Sequence, residues 1–559
     1  MASRSTLRFS ELLLFCFLAT LPTSAVGAGQ TSSQLSHTER LYQEGMSLVE
    51  QRKLDEALQA FNRGLESDPS NRVLLNAIGA TYTLKGDAEK AQDCFQKVLK
   101  IDPEFLPARK NLAMTYFNSG KYDLAGQEFD ELASNPDAGP LAHLFLGMIA
   151  EKRKQYEAAV AQFKQAGNLV FQSGEAILSF ARCLYERRQH EKSELILQRL
   201  AGVAGLSAVD YYEAGLLYSK CGRNDQALEA LTKAREMNAE LPGLEYQRAL
   251  ILDKMGRAAE ALKILQGVMV QKPDRDSLQL LGEIAGRDGK LEAAAEAFRK
   301  VIEIEPDHEE AYLSLSTLLM DNENDPLGLT VVETGLAHLP QSYRLRVQKG
   351  AILEDLGRHQ EAREIFRSAI RRQADHRDAL IGLAVSQVYG GEIPEGVETL
   401  ASGVKQFPND YYVHYFYGLA LRKLAGLPRM DAKAVERKAA QALERSIHLN
   451  PAFADAYFLL GKFYVDNNPE LAAKNFQTAL RLNPRHDAAK YQLGRLYVGL
   501  GKREEGQKLL SQVNEQRAEM ERRPKIILMG SSLIITADKR PLLGAEAPRR
   551  EGVQAGWTD

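Results

Sequence analysis

Fourteen small residues recur along the chain at an almost constant step: Gly45, Gly79, Ala113, Gly147, Ala181, Gly215, Ala249, Gly282, Ser316, Gly350, Ala384, Gly418, Gly461 and Gly494. The step is 34 residues six times, then 33, then 34 four times, then 43 and 33. A fixed period of this length marks a unit that stacks on copies of itself, because so short a unit cannot bury its apolar face alone. With Gly79 at position 8 of a 34-residue unit, Ala91 falls at position 20, Phe95 at 24, Val98 at 27 and Pro103 at 32. The first unit puts Gly45, Ala57, Phe61, Gly64 and Pro69 at the same places, and the tenth puts Gly350, Ala362, Phe366 and Ala369 there. The thirteenth, offset by one, gives Gly461, Ala472, Phe476, Ala479 and Pro484. Apolar residues at three- and four-residue spacing predict two short helices per unit. Small residues at positions 8, 20 and 27 let those helices approach closely, and the aromatic at 24 fills the space they share. Pro at 32 lacks an N–H and ends the unit. A coiled coil would need an unbroken heptad seam, which helices interrupted about every 14 to 17 residues do not supply.

This pattern resembles the tetratricopeptide repeat family over roughly residues 38–514. The resemblance implies an all-α fold, an α-solenoid in which helix-turn-helix repeats form a right-handed superhelix. The family often has Trp at position 4, whereas the only Trp here, Trp557, lies outside the array. Gly328, Gly396 and Gly506 stand at position 20 in place of Ala, and each should weaken its helix by about 1 kcal/mol. The second helices of repeats 9, 11 and 13 are expected to begin at Pro326, Pro394 and Pro469, since Pro is well placed in a first helical turn. Repeat 12 carries an insertion of nine residues, with 21 residues from Gly418 to Ala439 where other repeats have 12. Its segment Ala425–Asp431 reads as a longer loop, with Asp431 as the N-cap of the next helix.

The N-terminus is expected to be a secretory signal peptide. Arg4 and Arg8 precede the apolar run Leu12–Leu21, which Pro22 ends, and Val26 and Ala28 are the small residues before a cut after Ala28. A run of ten apolar residues is short for a bilayer span; an uncleaved anchor is the alternative. No other run is apolar enough to cross a membrane, so none is expected after cleavage, and the protein is expected to be secreted or periplasmic. The chain is then 1–28 signal peptide, 29–37 polar linker, 38–514 array of about 14 repeats, and 515–559 charged capping helix and disordered tail. The whole chain carries a net charge of −3, and removing Arg4, Arg8 and Glu11 with the signal leaves −4. Neither value gives a bulk electrostatic reason to bind nucleic acid. Cys94, Cys183 and Cys221 remain, an odd and scattered set that makes no disulfide framework. Cys94 and Cys183 read as small core residues, and Cys221, before Gly222 at a helix end, as exposed.

No catalytic constellation or phosphate-binding loop occurs, and no Cys, His or carboxylate group has metal spacing. No enzyme activity, cofactor or metal is therefore expected, and what remains is a surface. In the family that the chain resembles, positions 2, 5, 9, 12 and 13 of the first helix line the concave face. At position 5 these are Tyr42, Tyr212, Tyr246, Tyr415, Phe458 and Tyr491; position 12 adds Phe117 and Tyr185, and position 2 of repeat 12 adds Tyr412. Arg422 and Lys423 occupy positions 12 and 13 of repeat 12. Tyr combines apolar area with a hydrogen-bonding tip, which suits partner recognition. One subfamily grips a free C-terminal carboxylate with Lys at position 5 and Asn at position 9, but repeat 3 has Lys110 with Met114, and no repeat has the pair. The expected partners are other proteins that lay an extended peptide or an amphipathic helix in the groove. By resemblance, an exported array of this kind serves envelope assembly or export. The alternative is a carbohydrate- or peptidoglycan-binding solenoid in which sugar rings stack on tyrosine.

Overall fold

A computed structural model describes residues 36–371, 376–428 and 430–522, with side chains up to 515. The expected signal peptide, most of the polar linker and the tail from 525 lie outside the described residues. Within them the chain forms 28 α-helices and no strand. The helices pair as the period predicts. Repeat 1 is His37–Glu50 and Leu54–Ser67, repeat 2 is Arg72–Lys85 and Ala88–Ile101, and so on to Asp487–Gly499 and Arg503–Arg522 in repeat 14. Two compact units divide at residues 261 and 262, inside the second helix of repeat 7, Ala258–Gln271. In each unit consecutive helices pack on one another in chain order, the arrangement of an α-solenoid.

The repeat positions do what their residue types require. A Cβ on Gly79 would lie 2.6 Å from the ring of Phe95, and one on Gly282 would lie 2.4 Å from Phe298. The ring at position 24 therefore occupies the volume that the small residue at position 8 leaves empty. Phe61, Phe95, Phe129, Phe163, Phe366 and Phe476 are all wholly buried in this way, each stabilising its repeat by about 1.5–3 kcal/mol relative to an exposed ring. A further periodic feature sits at position 15, between the two helices. It takes positive φ in repeats 1–11 and 14, as glycine in eight of them, from Gly86 (φ 81°) to Gly501 (φ 82°). Arg52, Lys154, Arg188 and Glu323 adopt the same left-handed turn with side chains, at a cost of about 1–2 kcal/mol each. In the first unit a cation at position 14 also reaches a carboxylate at position 18 of the preceding repeat, in Lys85–Asp55, Arg153–Asp123 and Arg187–Glu157.

Several local features differ from the expectation. In repeats 4 and 5, which have no Pro at position 32, the second helices Tyr156–Ala166 and His190–Leu197 end early. They finish as 3₁₀ turns at Gly167–Gln172 and Gln198–Gly202. The insertion in repeat 12 is only partly loop. Asp431 caps the next helix by accepting from the Ala434 N–H at 3.1 Å, but that helix, Ala432–Leu449, is lengthened to 18 residues. At the start of the array, Ser36 Oγ accepts from the Glu39 N–H and the Glu39 carboxylate accepts from the Ser36 N–H, a reciprocal cap that draws the end of the linker into the first helix. At the other end the last helix runs without a break from Arg503 through 515 to Arg522. All three described cysteines are free. Cys183 is buried, and burial pushes its thiol to about 12. Cys221, expected to be exposed, is half-buried, with its sulfur 3.9 Å from Ser193 Oγ.

Candidate binding face

The inner positions 2, 5, 9, 12 and 13 behave differently in different repeats. In the first unit those of repeats 3–5 are sealed in part: Met114, Phe117, Leu144, Met148 and Leu178 are buried, whereas Lys110, Glu175 and Arg182 are half-buried. Phe117 corrects the expectation for that position. It is 8% exposed, meets Phe145 edge-on at 5.0 Å and Tyr122 at 5.6 Å, and belongs to the core. The first helix of repeat 4, Gly139–Lys152, is apolar around most of its circumference and buried accordingly. The other first-unit rings are half-buried. Tyr42 packs 6.1 Å from Phe61, Tyr185 lies 4.8 Å from His190 with Lys220 over its ring, and Tyr212 packs on the cluster around Leu244. Tyr246 is also half-buried. Arg182, at position 9 of repeat 5, bridges Glu151 at 2.7 Å and Glu213 at 2.8 Å.

In the second unit the structure brings the predicted residues of repeat 12 together. Tyr412 and Tyr415 stack at 6.3 Å, and Phe416 meets their edges at 4.9 and 5.2 Å. Phe453, just before the first helix of repeat 13, lies 5.9 Å from Tyr412 and 5.1 Å from Tyr415. Burial, with Asp455 nearby, pushes both phenols above their ordinary range. Two turns along the same helix, Arg422 stands 5.7 Å over Phe463 and Lys423 stands 5.7 Å over Tyr389. Burial pulls the Arg422 guanidinium below its usual value. In repeat 13, Phe458 lies between Phe476 at 5.9 Å and His486 at 4.7 Å, with Lys462 over its ring. His486 Nδ1 accepts from the Ala489 N–H, which turns Nε2 towards Asp455 at 3.2 Å. Tyr491 in repeat 14 is 38% exposed beneath Arg495.

Reading aromatics alone missed a second feature. A cleft of ≈ 630 Å³ runs over repeats 8–11. Its lining falls on the same inner positions: Glu310, Arg344 and Asp378 at position 2, Glu283 and Thr317 at 9, Arg287 and Asp321 at 13. Gly286 at position 12 leaves room between them, its nearest neighbour Leu318 being 3.6 Å from where a Cβ would stand. Arg344 donates to Glu310 at 2.6 Å and Gln348 to Thr317 at 3.2 Å. The signal was available in the charges at positions 2, 9 and 13. Among the described residues no group of three or more His, Cys, Asp or Glu is placed to hold a metal ion. No described helix is long and apolar enough to cross a membrane.

Comparison with known proteins matches three profiles described as tetratricopeptide repeat. One matches residues 82–149, 353–419 and 466–522, a second 42–104 and 313–377, and a third 211–240 and 276–308, together more than half of the chain. Anaphase-promoting complex subunit 3 of Schizosaccharomyces pombe is 26% identical over 191 residues, 34% of this chain and 29% of that protein. Protein CTR9 homolog of Arabidopsis thaliana is 22% identical over 381 residues, 63% of this chain and 34% of that protein. The chain thus spans about a third of the length of these curated relatives. Among solved structures, yeast Tom70 aligns over 86% of this chain and 91% of its own, at 16% identity and a TM-score of 0.39.

Proposed function

We propose, from the premise that this chain belongs to the tetratricopeptide repeat family, that it is a non-enzymatic scaffold for protein–protein interaction. It is exported, and in the periplasm or cell envelope it holds a peptide or helix of a partner on the inner face of its second unit during envelope assembly or export. The observation that carries this is the aromatic run of repeats 12–14. Tyr412, Tyr415, Phe458 and Tyr491 are each partly exposed at inner positions, where Leu141, Leu144 and Leu178 at matching positions of repeats 4 and 5 are buried. Half-exposed aromatics beside cations are the groups that anchor partners at interfaces. The export part rests on the sequence of the first 28 residues, and cell fractionation that finds the protein in the cytoplasm removes it. The groove part is tested by affinity capture from the cell envelope with the exported form and its Tyr412→Ala/Tyr415→Ala variant. A partner retained by the first and lost by the second is expected. Equal retention by both moves the contact elsewhere on the chain.

A second reading has the same observation behind it: sugar rings stack on tyrosine faces, so the aromatic run also suits a carbohydrate or peptidoglycan strand. Calorimetry with oligosaccharides separates the two, because that reading requires measurable heat that the same double variant removes.

A further inference from the structure

Several arginines elsewhere in the second unit pair with carboxylates, while Arg346 donates to the Ser342 and Pro340 carbonyls and Arg445 to Asn409. Arg299 pairs with Glu296 and Glu303, Arg344 with Glu310, and Arg377 with Asp378 and Asp410. The inner positions of repeats 12 and 14 place their cations on aromatic rings. Among the described residues Arg422, Lys423 and Arg495 have no carboxylate within ion-pair distance, and each lies over a ring instead: Phe463, Tyr389 and Tyr491. A ring holds a cation in place but supplies no counter-charge. Arg422 is the sharpest case, because it is half-buried, a charge withdrawn from water calls for a partner, and Glu436 acts on it without forming an ion pair. The cleft over repeats 8–11 is mixed in charge, with Glu310 paired to Arg344, Asp378 paired to Arg377, and Glu283 and Asp321 lining it with Arg287.

We propose that the inner face of repeats 11–14 receives an acidic polypeptide segment that also carries apolar side chains. Its carboxylates pair with Arg422, Lys423 and Arg495, and its apolar groups rest on Tyr412, Tyr415 and Phe458. This builds on the scaffold function proposed above and names the chemistry of the partner. Guanidinium groups suit the role because they pair with carboxylates bidentately while stacking on aromatic faces.

The test uses the exported chain and two synthetic peptides that share Phe and Leu and differ only in carrying glutamates or lysines. Fluorescence anisotropy should show the acidic peptide binding more tightly, with affinity that falls as salt rises. Arg422→Gln/Lys423→Gln/Arg495→Gln should weaken it at least about ten-fold, while Arg422→Lys/Lys423→Arg/Arg495→Lys keeps most of the affinity. Unchanged circular dichroism establishes that both variants remain folded. Glu283→Gln/Asp321→Asn, in the other cleft, should leave the acidic peptide bound. An acidic peptide that binds no better than the basic one, or that binds the glutamine variant as tightly as wild type, overturns the proposal. So does an acidic oligosaccharide or oligonucleotide of matched charge that displaces the peptide at lower concentration. A partner captured through Tyr412 and Tyr415 but indifferent to the three cation changes sinks this inference and leaves the scaffold function standing.

Discussion

Repeats 3–5 of the first unit and repeats 12–14 of the second use the same positions for opposite ends. In the first group Met114, Phe117 and Leu144 are buried in one apolar cluster and Leu178 in another, and the inner charge Arg182 is tied to Glu151 and Glu213. In the second group Tyr412, Tyr415, Phe458 and Tyr491 keep part of their surface, and Arg422, Lys423 and Arg495 lie on rings. A repeat position therefore fixes the direction in which a side chain leaves its helix, while the neighbouring repeats decide how much of it stays in water. Two faces of one architecture diverge because apolar residues at inner positions seal against each other, whereas amphipathic ones retain a wet tip.

The largest expected effect breaks the comparison outright. Phe117→Ala should cost about 3–5 kcal/mol, the range for deleting a buried ring, and Tyr491→Ala should stay within about 0.5 kcal/mol, as an exposed site does. Urea denaturation of the two variants checks this pair, and equal losses would erase the distinction between a sealed and an open inner face.

A smaller effect tests the seal through pH. Glu175, at position 2 of repeat 5, has its carboxyl raised by burial, with Lys152 only partly offsetting it. Its pKa is higher folded than unfolded, so folding takes up a proton. Its contribution to stability is full below the unfolded value of about 4.3 and is lost as pH rises through the folded value. Glu175→Gln should therefore stabilise the first unit at neutral pH, and the advantage should vanish below about pH 4. Melting curves across that window that keep a constant offset would show that burial does not govern this group.

The smallest expected signal is chemical. Cys183 is wholly buried, and burial pushes its thiol to about 12. Alkylation by iodoacetamide should spare it in the folded protein and label it after denaturation, while half-buried Cys94 and Cys221 react first. Early labelling of Cys183 would mean that repeats 5 and 6 open locally.

The helix pairs were legible because the contacts that define them lie within one repeat. Gly79 and Phe95 are 16 residues apart in sequence and meet in space. Position 15 was legible too, since a glycine there recurs with the same period. What the sequence hid depends on neighbours further away. Phe117 has the same residue type and register as an interface aromatic, and only Phe145 and Tyr122 packing around it make it core. The 3₁₀ endings of repeats 4 and 5, and the lengthened second helix of repeat 12, arise where the period itself is broken. The charged cleft escaped because charge on a short amphipathic helix usually marks a solvated face, and its convergence shows only when four first helices stand side by side.

The most direct test is site-specific photo-crosslinking in the cell. A photoreactive phenylalanine analogue is placed at Tyr415 or Tyr491 on the inner face of the second unit, and at Ile304, which is 46% exposed on the second helix of repeat 8. Adducts to one partner from positions 415 and 491, with none from 304, are the result predicted. Adducts that form at 304 and are absent at 415 and 491 would contradict the account and place binding outside the aromatic run.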